Sequence, residues 1–250
     1  MNDPHITADQ VRQANKTFYD LAAPVYETVD GRRTQPVLTW IESRLATLRQ
    51  EASGDRLLDL GCGSGVVMRC ARPHFRFVAG LDLSVEILRL AAPAGAVTCG
   101  DAGALPFRDC SLDVVVCFAA LHHLLEHAPL INEVYRVLKP GGIFYTDHDM
   151  ALAFSQRFAL PLHLYRHLHA AQRQYQKVNN QLTRELYALT EIHASGLDHR
   201  PLLTLLQTIG FSRIEHHFHW FGLNDLCNRL LGKRHFKAGW APLLAMTAGK

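Results

Sequence analysis

Continuous apolar runs and amphipathic stretches alternate through the middle of the chain. RLLDL (56–60), RFVAGLD (76–82), AVTCGD (96–101), DVVVCF (113–118) and GIFYTD (142–147) lack the alternation of a half-solvated strand and read as strands buried on both faces. Helical spacing fills the gaps. It is plainest in LINEVYRVL (130–138), which Lys139-Pro140-Gly141-Gly142 closes with a stop and a turn. Buried strands alternating with helices predict an α/β fold: a Rossmann-like, mostly parallel sheet of seven strands with helices on both faces.

The flanks extend this frame. Thr7-Ala8-Asp9-Gln10 has the form of a capping box and predicts a helix from near Ala8 toward Asp20. Val37, Trp40, Ile41, Leu45 and Leu48 recur at helical spacing and predict a second helix from Pro36 to about Glu51. Residues from Met150 to about Leu197 are again helical and rich in His, Gln, Arg and Tyr. PLLTLLQTIGF (201–211) forms one more amphipathic helix, stopped by Gly210. FSRIEHHFHWF (211–221) and APLLAMTAG (241–249) fit a closing antiparallel strand pair, with the EHHFHW cluster expected near the surface. The chain divides into an N-terminal helical cap (1–54), a core (55–150), a helical lid (151–198) and the rest of the core sheet (199–250), within one domain.

Composition narrows the class. A chain of 250 residues, 48 % hydrophobic and 20 % charged, buries an adequate core without staples. A net charge of +3 is too mild to indicate a nucleic-acid partner. The basic run GKRHFK (232–237) reads as a solvated loop or helix end. Six cysteines include no C-x-x-C pair, which argues against a zinc ribbon or a thioredoxin-like site. Cys99 and Cys117 lie in apolar runs and are expected as small buried hydrophobes. The free-thiol usage and the polar N-terminus predict a cytoplasmic protein, with no apolar run of the roughly 20 residues that span a bilayer.

LLDLGCGSGV (57–66) concentrates three glycines directly after a strand. Glycine there permits a tight turn and close approach of a ligand to the backbone. The next strand-end acid, Asp82, lies 23 residues after Asp59, near the roughly 20-residue interval at which an acid grips ribose hydroxyls in nucleotide folds. A nucleoside-bearing cofactor is indicated. The dinucleotide pattern G-x-G-x-x-G fails at Val66, which disfavours an NAD-dependent oxidoreductase.

At this point the chain resembles the class I S-adenosylmethionine-dependent methyltransferases. LLDLGCGSG, GLDLS (80–84), GDAGALPF (100–107), LHHL (121–124) and RVLKPGG (136–142) follow one another in the family's order. FYDLAAPVYE (18–27) is similar to the opening of small-molecule members, including the ubiquinone and menaquinone C-methyltransferases. The resemblance implies S-adenosylmethionine as cofactor and S-adenosylhomocysteine as product. It places Gly61, Gly63 and Gly65 against the methionyl part and Asp59 on the amino group through water. Asp82 would take the ribose and Leu83 would lie against the adenine. Asp101 would accept from the adenine amino group, with Ala102 supplying a backbone contact. Phe118 would line the sulfonium side, with Tyr19 and Tyr26 closing the pocket. Cys62, inside the loop, reads as a small loop residue with no activating base near it in sequence.

Methyl transfer requires a nucleophile in line with the S–CH3 bond, no metal, and a base only when the acceptor still carries its proton. The candidate bases are His122 and His123 after the fourth strand and Asp147, His148 and Asp149 after the fifth, with His123 and His148 singled out for the catalytic role. Cys117-Phe118-Ala119-Ala120 stands where members acting on planar amino nitrogens carry Asn/Asp-Pro-Pro-aromatic, so a small organic acceptor is expected, at O, N or C. His163 and His167 share a helix face of the lid, which also carries Tyr165, His169, Tyr175 and Tyr187. That face is expected to be solvated rather than metal-binding. The expected assembly is a monomer or homodimer without nucleic acid. A non-catalytic binding protein on the same fold is the remaining alternative.

Overall fold

The computed structural model describes residues 6–29, 34–168, 171–222, 225–232 and 234–250. The capping box forms as expected. The Thr7 amide donates to Gln10 Oε1 at 2.8 Å, and the Gln10 amide donates to Thr7 Oγ1 at 3.2 Å. The helix it starts, α1 (Ala8–Val29), runs past Asp20 and carries Pro24 inside it. It continues past Asp20 because Val11, Ala14, Phe18 and Ala22 recur on one buried face. α2 (Gln35–Glu51) buries Val37, Trp40, Ile41, Leu45 and Leu48.

β1 (Arg56–Leu60), α3 (Val66–Ala71), β2 (Phe77–Asp82), α4 (Val85–Ala91), β3 (Ala96–Cys99), β4 (Leu112–Phe118), α5 (Ala128–Val137) and β5 (Leu138–Met150) alternate as expected. The lid comprises α6 (Leu152–Arg157), α7 (Ala159–Leu168), α8 (Ala171–Val178) and α9 (Arg184–Thr190). It is followed by α10 (His199–Ile209), β6 (Ser212–His219), α11 (Asp225–Leu231) and β7 (Leu243–Gly249). The sheet order is β3-β2-β1-β4-β5-β7-β6, and only β7 runs antiparallel to its neighbours. The central strands are mostly apolar and buried because helices cover both faces; β4 is buried from Leu112 to Cys117.

Strand order reverses between β1 and β4, where Leu60 pairs with Cys117. Diverging connections leave a crevice beyond the carboxyl ends of such strands. The glycine loop and Phe118 therefore stand at the crevice by topology alone.

Two expectations need correction. Cys99 is exposed, because β3 is the edge strand; Cys117, on central β4, is buried. The EHHFHW cluster is only partly superficial. Glu215 and His216 are exposed, whereas Phe218 and His219 are buried where the end of β6 passes under α2: the His219 ring lies 5.3 Å from Trp40, which stacks on Phe221 at 4.8 Å.

The lid is tied to α1. Phe18 meets Tyr175 and Tyr187 edge-on at 5.1 and 5.7 Å, over a buried Leu182. His169 and Lys233 lie outside the described residues.

Candidate cofactor and methyl-transfer site

The loop after β1 is pinned to β2 by its own backbone. The amides of Gly61 and Cys62 both donate to the Leu81 carbonyl, at 2.8 and 3.1 Å. Gly61 and Gly63 take left-handed φ values of 64° and 53°. A Cβ at Gly61 would stand 2.8 Å from Ala120 Cβ, and one at Gly63 would stand 3.1 Å from the Tyr26 hydroxyl. Side chains are thus excluded where the backbone faces the crevice. Gly65 answers a different need: a Cβ there would stand 3.1 Å from Ala94 Cβ and 3.2 Å from Ala91, so it serves the close contact of the loop with the end of α4 and does not line the cavity.

Asp82, at the end of β2, accepts from the Gly63 amide on Oδ2 and from the Ser84 amide on Oδ1, both at 3.0 Å. Burial raises its pKa, and these backbone donors oppose the rise. It does not cap α4; Ser84 does, accepting from the Ile87 amide at 3.1 Å. Asp59 is buried one residue before the loop. Among the described residues neither of its oxygens has a hydrogen-bond partner. Burial, and then the charge of Asp82, push its carboxyl well above the ordinary range. Asp59 does not itself line the cavity. An unpartnered buried carboxylate behind a bare loop suits a cationic ligand group nearby, as the aminoacyl sulfonium of S-adenosylmethionine would supply. Cys62 is buried beside both acids, which pushes its thiol up and leaves it inert.

The cavity at the crevice has a volume of about 220 Å³, several times that of the water molecules a small void would hold. Gly61, Gly63, Asp82, Leu83, Asp101, Ala102, Phe118 and His123 line it, and α1 roofs it with Arg12, Asn15, Tyr19 and Tyr26. Asp101 accepts from the Gly103 amide at 2.8 Å and pairs with the Arg12 guanidinium. It is therefore both a turn residue and a wall of the cavity. Arg12 also pairs with Asp9. Asp20 accepts from Ser84 Oγ at 2.6 Å, which moors α1 to α4.

His123 ends the short 3-10 turn Leu121–His123. Its Nδ1 lies 2.7 Å from the Thr190 carbonyl, so it carries the proton; Nε2 is left to accept from the Tyr19 hydroxyl at 2.9 Å. Burial, and then the neighbouring His122, push its pKa down to about 4. An imidazole lowered from its ordinary 6.5 binds fewer protons folded than unfolded. It therefore costs nothing above pH 6.5 and destabilises the fold progressively as pH falls toward about 4. Urea titrations at several pH values check this: His123→Gln loses less stability on acidification than the wild type across that window, and identical losses would contradict it.

His122 and Asp149, two of the candidate bases, form a dyad beside His123. The His122 Nδ1 lies 2.6 Å from Asp149 Oδ1, and its ring is 3.9 Å from that of His123. His148 does not line the cavity. Its backbone takes φ of 68° and its side chain is buried behind Phe118, ring to ring 4.8 Å. It belongs to a cluster around Asp147. That carboxylate accepts from Tyr145 Oη (2.6 Å) and Trp40 Nε1 (3.2 Å) on Oδ2, and from His219 Nε2 (2.7 Å) and the His148 amide (2.6 Å) on Oδ1. Burial opposes its ionisation, but His148 and His219 outweigh that and hold it well below the ordinary carboxylate range.

A doubly wound sheet with a bare loop and a strand-end acid at its switch point defines an α/β protein that binds a nucleoside-bearing cofactor. Comparison with known proteins narrows this. The family described as methyltransferase domain matches residues 58–146. A protein of Mycolicibacterium smegmatis named as a probable S-adenosylmethionine-dependent methyltransferase is 33 % identical over 61 % of this chain and 64 % of its own length. A 24-methylenesterol C-methyltransferase of Oryza sativa is 31 % identical over 63 % of this chain and 49 % of its own. The chain thus spans about half to two thirds of the length of these relatives. Among solved structures, the [4+2]-cyclase SpnF superposes with a TM-score of 0.62 at 21 % identity, covering 100 % of this chain and 98 % of that one, which is a likeness of fold. Residues 58–146 thus match a methyltransferase domain, and the similarity to a probable S-adenosylmethionine-dependent methyltransferase agrees with the nucleoside-bearing cofactor that the crevice indicates.

Proposed function

We propose that the protein transfers the methyl group of S-adenosylmethionine to a small organic acceptor, at O, N or C, and releases S-adenosylhomocysteine. The observation that carries this reading is the unpartnered Asp59 carboxylate behind a loop whose glycines admit no side chain. Asp82 binds the ribose hydroxyls, Leu83 lies against the adenine, and Asp101 reaches its amino group, with Ala102 supplying a backbone contact. When bound, the cofactor supplies an already electrophilic methyl group. The chain's part is to align the acceptor and exclude water, which in well-aligned cases removes on the order of 7–11 kcal/mol of barrier. Phe118, Tyr19 and Tyr26 form the walls that do so. Where the acceptor arrives protonated, Tyr19 and His123 are the hydrogen-bonded pair at the cavity wall through which its proton leaves, His123 Nδ1 being fixed by Thr190. In this reading the protein works in the cytoplasm as a monomer or homodimer, without nucleic acid.

Calorimetry with S-adenosylmethionine and with NADH, followed by S-adenosylhomocysteine detection over sterols, phenols, hydroxyquinones and carboxylic acids, tests the proposal. NADH binding without S-adenosylmethionine binding would replace it with an oxidoreductase. Tight cofactor binding with no product on any acceptor would favour a non-catalytic binding protein. Once an acceptor is found, Tyr19→Phe, which removes one hydrogen bond to His123, lowers kcat/KM by about three- to tenfold. Unchanged kinetics would take the Tyr19–His123 pair out of the site.

A further inference from the structure

The net charge of the chain is unevenly placed. Residues 150–184 contain Arg157, Arg166, Arg173, Lys177 and Arg184 and not one Asp or Glu. The other 21 of the 26 Lys and Arg share the rest of the chain with all 23 Asp and Glu. The whole positive excess is therefore carried by the lid from the end of α6 to the first residue of α9. All five cationic side chains are exposed, and among the described residues none lies in a salt bridge.

The same segment holds the most exposed large apolar side chains of the lid. On α7, Leu160 is 82 % exposed, and Leu164 and Tyr165 are each 60 % exposed. Leu162, on the opposite side of the helix, packs against the core, so α7 is seated and its other face is left to solvent. The Arg157 guanidinium lies 3.7 Å from the ring centre of Trp240, itself 51 % exposed, which adds an aromatic of the kind found at lipid interfaces.

We infer that α7 and the exposed cations of the lid dock the protein on the surface of a bilayer bearing anionic headgroups, with Leu160 and Leu164 entering the headgroup boundary. Charge selects this occupant. A second copy of the chain would bring five cations against five with no acid between them. A nucleic acid would neutralise the cations but leave the leucines in water. An anionic bilayer accepts both, since leucine and aromatic side chains beside Lys and Arg are the make-up of segments that lie in the interface plane. Among the described residues no helix is long and apolar enough to cross a membrane, so the attachment is peripheral.

The test is co-sedimentation of the full chain with phosphatidylcholine vesicles containing about 30 % phosphatidylglycerol, against phosphatidylcholine alone. The expected result is partitioning at least about tenfold stronger on the anionic vesicles, declining as salt is added. The double variant L160D/L164D weakens it by at least about tenfold, and R173Q/K177Q lowers the preference for anionic vesicles. Both variants keep the far-ultraviolet spectrum of the wild type; should L160D/L164D misfold, the surface pair R173Q/K177Q decides alone. Failure of the wild type to sediment, equal binding to neutral vesicles, or wild-type binding by R173Q/K177Q would overturn the inference. So would a dimer in light scattering that L160D/L164D dissociates, because the face would then join two copies. Binding abolished by L226D/L230D on α11 and left intact by L160D/L164D would also overturn it.

Discussion

Replacing Asp147 with alanine lowers the unfolding free energy by about 3–5 kcal/mol, the range expected when one member of a buried charged network is removed and its partners stay behind. The size follows from what is stranded. The hydroxyl of Tyr145, the indole N–H of Trp40, His219 Nε2 and the His148 amide all converge on this fully buried carboxylate. None of them has room to turn toward water. Urea denaturation read by fluorescence measures the effect as a lower midpoint at constant slope. Because the carboxyl is held below its ordinary range, its contribution is present above about pH 4 and disappears as pH falls through the folded value. The wild type and the variant therefore converge in acid. A loss of less than about 1 kcal/mol at neutral pH would mean that water, not Asp147, satisfies those donors.

Asp82→Ala weakens S-adenosylmethionine binding by about 10- to 100-fold, equivalent to about 1–3 kcal/mol for hydrogen bonds to a charged acceptor. Two losses combine. The ribose hydroxyls lose their acceptor, and the Gly63 amide loses the carboxylate that fixes the loop at 3.0 Å. Titration calorimetry reads the dissociation constant directly. An unchanged constant would remove Asp82 from the site and with it the proposed orientation of the nucleoside.

The sheet was legible because its strands are buried on both faces. A strand such as Leu112–Phe118 has no polar face to disguise, so its continuous apolar run announces it. The glycine loop was legible because one spatial demand, close approach to backbone, falls on a few adjacent residues. Arg12, Asp20 and the pairing of Asp149 with His122 were not legible, because each depends on a partner chosen by tertiary folding. Arg12 meets Asp101 across 89 residues, and Asp20 meets Ser84 across 64. Asp147 shows the limit most sharply. Trp40 and His219 reach it from 107 and 72 residues away, and nothing in the polar spelling of EHHFHW marks its last histidine as buried. Cys99 misled in the opposite direction: an apolar run implied burial, but the strand lies at the edge of the sheet.

The roof over the cavity has a bearing on how the chain is made. α1 is translated before the sheet and the lid, yet the aromatic face of Phe18 closes only on Tyr175 and Tyr187. Everything between them must be synthesised before that face is complete. The nascent sheet can form from neighbouring segments meanwhile, so its cofactor crevice stands open to the surroundings. The helix made ahead of the sheet is thus among the last elements to settle.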